Sequence, residues 1–235
     1  MKKIFNESYI KYITHMNSMV ENYMEYGGYE IRRKQCIDFV NVFDNIKFPF
    51  DKLITVETGV SQDYKDGLVG LFLGFATEKT NGKMFSVDIN SNRLQKSVEI
   101  FSEIISSLQY HTIQEDSVKF LKSLTIIPNI VHLDSWDLNL KDPFPAALHG
   151  WNEFKAIENK MPSGSIILID DNYLKGTWVE WVYSNIESEK ITIDYPIIGK
   201  GAHVYQYVLS GNSDWVLIGN HYKIGANIKI MLQKK

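Results

Sequence analysis

The chain has 235 residues, a formal net charge of −3, 44% hydrophobic and 23% charged residues. The length suits a single α/β domain, the composition is globular, and the weak negative charge offers nucleic acid no electrostatic footprint. The single cysteine, Cys36, excludes an internal disulfide, and neither a membrane-length apolar run nor a signal-peptide core is present, so a cytoplasmic protein is expected.

Residues 1–50 carry helical periodicity and no strand signal. Tyr9, Ile13, Met16, Val20 and Tyr23 recur at spacings of three and four, one face of a helix that Gly27-Gly28 breaks. A second helical pattern follows through Ile31, Cys36, Phe39, Val40 and Phe43. Arg32-Arg33-Lys34 reads as a solvated face of it. From residue 52 strands and helices alternate. Leu53–Glu57 is a strand and Gly67–Thr77 a helix; Met84–Asp88 is a strand and Arg93–Leu108 a helix. His111–Gln114, Asn129–Asp134 and Ser165–Asp170 are further strands, each followed by a helix: Val118–Leu124, Ala146–Lys160 and Trp178–Ser188. Such alternation predicts a parallel sheet covered on both faces. Trp215–Gly219 and Asn227–Leu232 read as a terminal antiparallel pair, with Ala202–Leu209 a short helix before them.

The chemistry gathers at the carboxyl ends of these strands, where open α/β sheets bind ligands. The first strand ends in Glu57-Thr58-Gly59-Val60-Ser61, and the glycine lets the backbone come close to a ligand. The three-glycine dinucleotide fingerprint and the Walker lysine are both absent. The second strand ends on Asp88, placed to accept two ribose hydroxyls. Asn90 or Ser91 is the better cap for the helix that follows, and Asp116 or Ser117 caps the next one. Asp134, Asp170 and Asp171 end the strands at 129–134 and 165–170. Three carboxylates at one crevice suggest a divalent cation, Mg²⁺ or another hard ion. Gly199-Lys200-Gly201 is either a turn with a solvated lysine or an anion-binding turn. His132, inside its strand, reads as core.

The order Glu57-Thr-Gly59, Val87-Asp88, Glu115-Asp-Ser117, Leu133-Asp134 and Pro162-Ser-Gly164…Ile169-Asp170-Asp171 resembles the class I S-adenosylmethionine-dependent methyltransferases, and among them the metal-dependent small-molecule O-methyltransferases. The likeness covers roughly residues 50–235. It implies a Rossmann-like α/β fold with a seven-stranded, mostly parallel sheet whose last strand is antiparallel. Helices would cover both faces, and residues 1–50 would form an N-terminal helical extension. It implies Glu57, Gly59 and Ser61 at the methionine moiety, Asp88 at the ribose, Asp116 and Ser117 at the adenine, and Asp134, Asp170 and Asp171 on the metal. The family's acid-glycine-x-His sequence is here Asp134-Ser135-Trp136-Asp137, and the next histidine is His149.

The reaction expected is methylation of a hydroxyl on a small molecule such as a sugar or another polyhydroxylated metabolite. Asp134 would act through the metal and His149 as general base, with Glu153 one turn along to orient its ring or join the metal. Two other classes compete: a non-catalytic module on the same fold, and a Rossmann oxidoreductase, which the missing glycines disfavour. Residues 1–50 are expected to cover the site as a lid or to form a homodimer seam, and residues 51–235 to bind the donor. No nucleic-acid or membrane partner is expected.

Overall fold

A computed structural model describes residues 2–20, 37, 39–42, 46–60, 69–139, 141–174, 197–218 and 227–235. Helix α1 (Lys2–Val20) precedes β1 (Ile54–Thr58), α2 (Val69–Lys79), β2 (Lys83–Asp88), α3 (Ser91–Ile104), β3 (Gln109–Gln114), α4 (Ser117–Ser123) and β4 (Ile130–Leu133). Then come α5 (Phe144–Ile157), β5 (Ile166–Leu174), β6 (Ile197–Gly199), α6 (Ala202–Leu209), β7 (Trp215–Leu217) and β8 (Asn227–Lys234). The expected helix over 178–188 and most of the one through Ile31–Phe43 lie outside the described residues.

The sheet has the order β3-β2-β1-β4-β5-β8-β7. Strands β1 to β5 pair in parallel, and β8 runs antiparallel between β5 and β7. The mostly parallel sheet and its antiparallel last strand are as expected; the difference is an eighth strand. The short β6 pairs antiparallel with the far end of β5, through Asn172–Gly199 and Leu174–Ile197. It is three residues long, too short to show a strand period in the sequence.

Alternation along the parallel strands divides the core in two. Leu53, Met84, Ile130, Ile166 and Leu168 pack under α1, α2 and α3, with Phe72 and Phe101. Val56, Val87, Val131, Leu133 and Ile167 pack under α4, α5 and α6, with Phe154 and Trp215. Helix α1 belongs to the first layer. Phe5 and Tyr12 are fully buried, and the ring of each lies 6.1 Å from that of Phe72, centroid to centroid. Its buried face centres on Phe5, Ser8, Tyr12 and Met16, with Tyr9 and Ile13 at its margin.

Candidate functional site

The ends of β1, β2, β3 and β4 open on a crevice of about 270 Å³, lined by Gly59, Asp88, Arg93, Asp116, Ser117, Asp134, Ser135, Trp136 and His149, among others. Strand β1 lies between β2 and β4, so the chain order reverses there, and such a switch point is where doubly wound sheets take ligands.

Gly59 turns β1 into this crevice. Its φ is +73°, its N–H donates to the Val87 carbonyl at 2.9 Å, and a Cβ here would run into the Asp134 carbonyl. A glycine is therefore needed both for the left-handed backbone and for the close approach of β4. Asp88 is nearly buried, and one carboxylate oxygen accepts from Val60 N–H at 3.0 Å while the other accepts from Asn90 N–H at 2.8 Å. Those bonds fix the carboxylate and leave each oxygen a second lone pair. Asn90 caps α3, accepting from Asn92 and Arg93, and Asp116 caps α4, accepting from Lys119 N–H at 2.9 Å. Ser61, expected in the same loop as Gly59, lies outside the described residues.

Ser117 faces inward, away from a purely capping role. Its hydroxyl lies 3.1 Å from Ser135 Oγ and 3.1 Å from His149 Nε2. Ser135 gives its one proton to Glu153 Oε1 at 2.6 Å and lies 2.8 Å from His149 Nε2. Because that proton is committed to Glu153, the network assigns the hydrogen of this contact to Nε2. A neutral His149 therefore carries its lone pair on Nδ1. Burial pushes the Glu153 carboxyl above the ordinary range, against the pull of His149 and the hydroxyls around it. Trp136 stacks on the His149 ring at 5.1 Å from a left-handed backbone, φ +68°. That conformation is strained in a residue with a side chain, and strain of this kind concentrates at functional sites.

Glu57 does not line the crevice. It is buried in the sheet, where parallel register puts Ser86 on one side of it and His132 on the other. Ser86 Oγ donates to its Oε2 at 3.3 Å, and its Oε1 lies 3.2 Å from His132 Nδ1. His132 Nε2 lies 3.8 Å from Asp170 Oδ2, and Lys229 of β8 pairs with that same oxygen. A row of charge thus runs from Glu57 of β1 to Lys229 of β8. Burial opposes protonation of His132, but the Asp170 and Glu57 carboxylates outweigh it and hold its pKa above the ordinary value.

The three carboxylates expected on a metal are already engaged. Lys200 is 2% exposed, and its ammonium lies 2.8 Å from Asp134 Oδ1, 3.0 Å from the Asp134 carbonyl oxygen and 2.9 Å from Asp171 Oδ2. Burial opposes the charge on Lys200, yet the Asp134 and Asp171 carboxylates hold its pKa above the ordinary value. Asp170 is taken by Lys229 and His132. One donor atom each of His132, Asp134 and Asp170 lie within 4.8 Å of one another. That alone satisfies the spacing of a cation site. The chemistry does not fit, because two ammonium groups already supply two positive charges and a ligating histidine must be neutral. Nothing in the sequence marks Lys200 as buried: a lysine between two glycines reads as a solvated turn.

No family model matches the sequence, and no curated protein is similar to it. The fold, in contrast, has many solved counterparts. The methyltransferase PaMTH1 of Podospora anserina, bound to S-adenosylhomocysteine, is similar at a TM-score of 0.55 and 12% identity, over 96% of this chain and 88% of that one. SMU.1697c of Streptococcus mutans, also holding S-adenosylhomocysteine, is similar at 0.50 and 12%, over 78% and 89%. An rRNA methylase of Streptococcus thermophilus gives 0.49 and 12%, over 78% and 87%. The chain has the Rossmann-like fold of the class I methyltransferases.

Proposed function

We propose that the protein is an S-adenosylmethionine-dependent methyltransferase acting on a hydroxyl of a small molecule. The observation that carries this reading is the crevice at the switch point, where the Gly59 turn, the fixed carboxylate of Asp88 and the capped end of α4 line one cavity. Asp88 would accept the ribose hydroxyls, and the Asp116–Ser117 turn would face the adenine. Glu57 would act from below, through the backbone of the β1 end. An acidic lining on a chain of net charge −3 favours a small acceptor over RNA.

Methyl transfer needs the donor sulfonium and the acceptor oxygen aligned for in-line displacement, with the acceptor's proton removed. His149 is the group suited to take that proton. Its Nε2 is held by Ser135, the ring is braced by Trp136, and Glu153 stabilises the imidazolium that forms. No step is routed through a metal, because the carboxylates that would hold one are paired with lysines.

Calorimetry tests the reading. S-adenosylmethionine and S-adenosylhomocysteine should bind, and NAD(H) should not. Asp88→Ala should weaken the donor by about 1.5–3 kcal/mol, the worth of a hydrogen bond to a charged group. Undiminished binding by Asp88→Ala would remove the ribose assignment, and binding of NAD(H) alone would replace the methyltransferase with an oxidoreductase.

A further inference from the structure

We propose that the ammonium of Lys200 stands where a divalent cation would otherwise bridge Asp134 and Asp171, so that the crevice works without a metal and takes acceptors that need no chelation. The inference rests on the methyltransferase reading for the identity of the acceptor site, but not for the placement of the lysine.

The lysine is built in. An ammonium has three donors, and all three are matched by oxygens at 2.8, 2.9 and 3.0 Å. The chain around it is shaped to bring it there. At Gly199 φ is +133°, and a Cβ would strike the Asp171 carbonyl; at Gly150 of α5 a Cβ would strike the carbonyl of Lys200 itself. Gly201 N–H donates to Asn172 Oδ1 at 2.6 Å, and Asn172 Nδ2 donates to the carbonyls of Ile169 and Asp170, at 2.9 Å each. Strand β5 bulges against β8 between Ile169 and Asn172, with Asp171 in the left-handed region at φ +51°. The bulge breaks the strict alternation of a strand. Asp170 then meets Lys229 while Asp171 meets Lys200.

The charges match this arrangement. Asp134, Asp170 and Asp171 face Lys200 and Lys229, and a dication added among them would meet two fixed ammonium groups at contact distance. Lys200 has no donor left for a substrate. It acts through Asp134, which is 27% exposed and lines the crevice, by holding that carboxylate in place as a hydrogen-bond acceptor. It is a positioning residue. An acceptor bound this way needs one hydroxyl within reach of His149, whereas a metal-assisted site selects vicinal oxygens able to chelate. The acceptor class is therefore a monohydroxylated small molecule as readily as a diol.

The test is a Mn²⁺ titration of the whole, chelator-treated chain, followed by the resonance of free Mn²⁺, with donor binding measured separately by calorimetry. Wild type should show no saturable Mn²⁺ site at millimolar metal, and its donor binding and turnover should be unchanged by excess chelator. Lys200→Met, close in volume and uncharged, should gain a saturable site, with affinity tighter by about tenfold or more as the ammonium repulsion is lifted. Adding Asp134→Asn to that variant should abolish the gain. A change in packing alone would not create a cation site.

Wild-type Mn²⁺ binding that Asp134→Asn removes would overturn the proposal, and so would a folded Lys200→Met that gains no site. Should Lys200→Met fail to fold, the wild-type titration with and without Asp134→Asn still decides. Failure to bind S-adenosylmethionine would remove the methyltransferase reading and leave the Mn²⁺ result standing.

Discussion

His132 shows how a single side chain ties the floor of the crevice to the stability of the fold. It sits between the carboxylates of Glu57 and Asp170, 1% exposed, and holds its proton to a higher pH than it would in the unfolded chain. Over that interval the folded state binds more protons than the unfolded one. The stabilisation is therefore complete below the ordinary histidine value of about 6.5 and is lost as pH rises through the folded value. The advantage of wild type over His132→Gln in denaturant unfolding should be largest near pH 6 and shrink steadily toward pH 9. A difference constant across that range would mean that His132 is neutral and that the row is held by its other members.

At the scale of elements, the far end of β5 decides the geometry. Asn172 is fully buried and satisfies two carbonyls of its own strand and the N–H of Gly201, which opens α6. Its loss leaves buried backbone groups unpaired, at about 1–3 kcal/mol each. Asn172→Ala should therefore rank among the more destabilising single substitutions when midpoints of urea unfolding are compared. An Asn172→Ala midpoint within the range of surface substitutions would show that the bulge is held by its flanking pairs alone. The bulge was not legible in the sequence. Strand β5 was legible as an apolar run ending on acids, but a bulge depends on its antiparallel partner, and β6 and β8 come from distant parts of the chain.

Across the whole molecule, what the sequence made legible was periodic and local. The five parallel strands, the Asn90 and Asp116 caps and the acids at the strand ends follow from alternation, capping chemistry and position after an apolar run. Pairings between distant strands were hidden. Glu57 next to His132, and Lys200 between Asp134 and Asp171, depend on sheet order rather than on neighbours in the chain. Helix α1 was legible as helix, but not in its attachment. Helix α1 places Phe5, Tyr12 and Met16 in the same core as Phe72 and Leu53. Removing it would strip α2, which carries Phe72, of its apolar cover. Residues 21–36, 38 and 43–45 of the expected lid or dimer seam lie outside the described residues.

The lining of the crevice also bears on turnover. Asp88, Glu115, Asp116, Asp134 and Asp137 surround it, with Arg93 and His149 the basic side chains among the described lining residues. On the proposed reading the donor arrives as a sulfonium and leaves as a neutral thioether. The reaction thus erases the charge that this ring of acids attracts, and the spent cofactor loses part of its hold at the moment it has to be exchanged. Raising ionic strength should accordingly weaken S-adenosylmethionine more than S-adenosylhomocysteine in calorimetric titrations, and equal salt slopes for the two would show that the acids do not sense the sulfur. An acidic crevice on this view acts as a ratchet, drawing in the charged form and letting go of the discharged one.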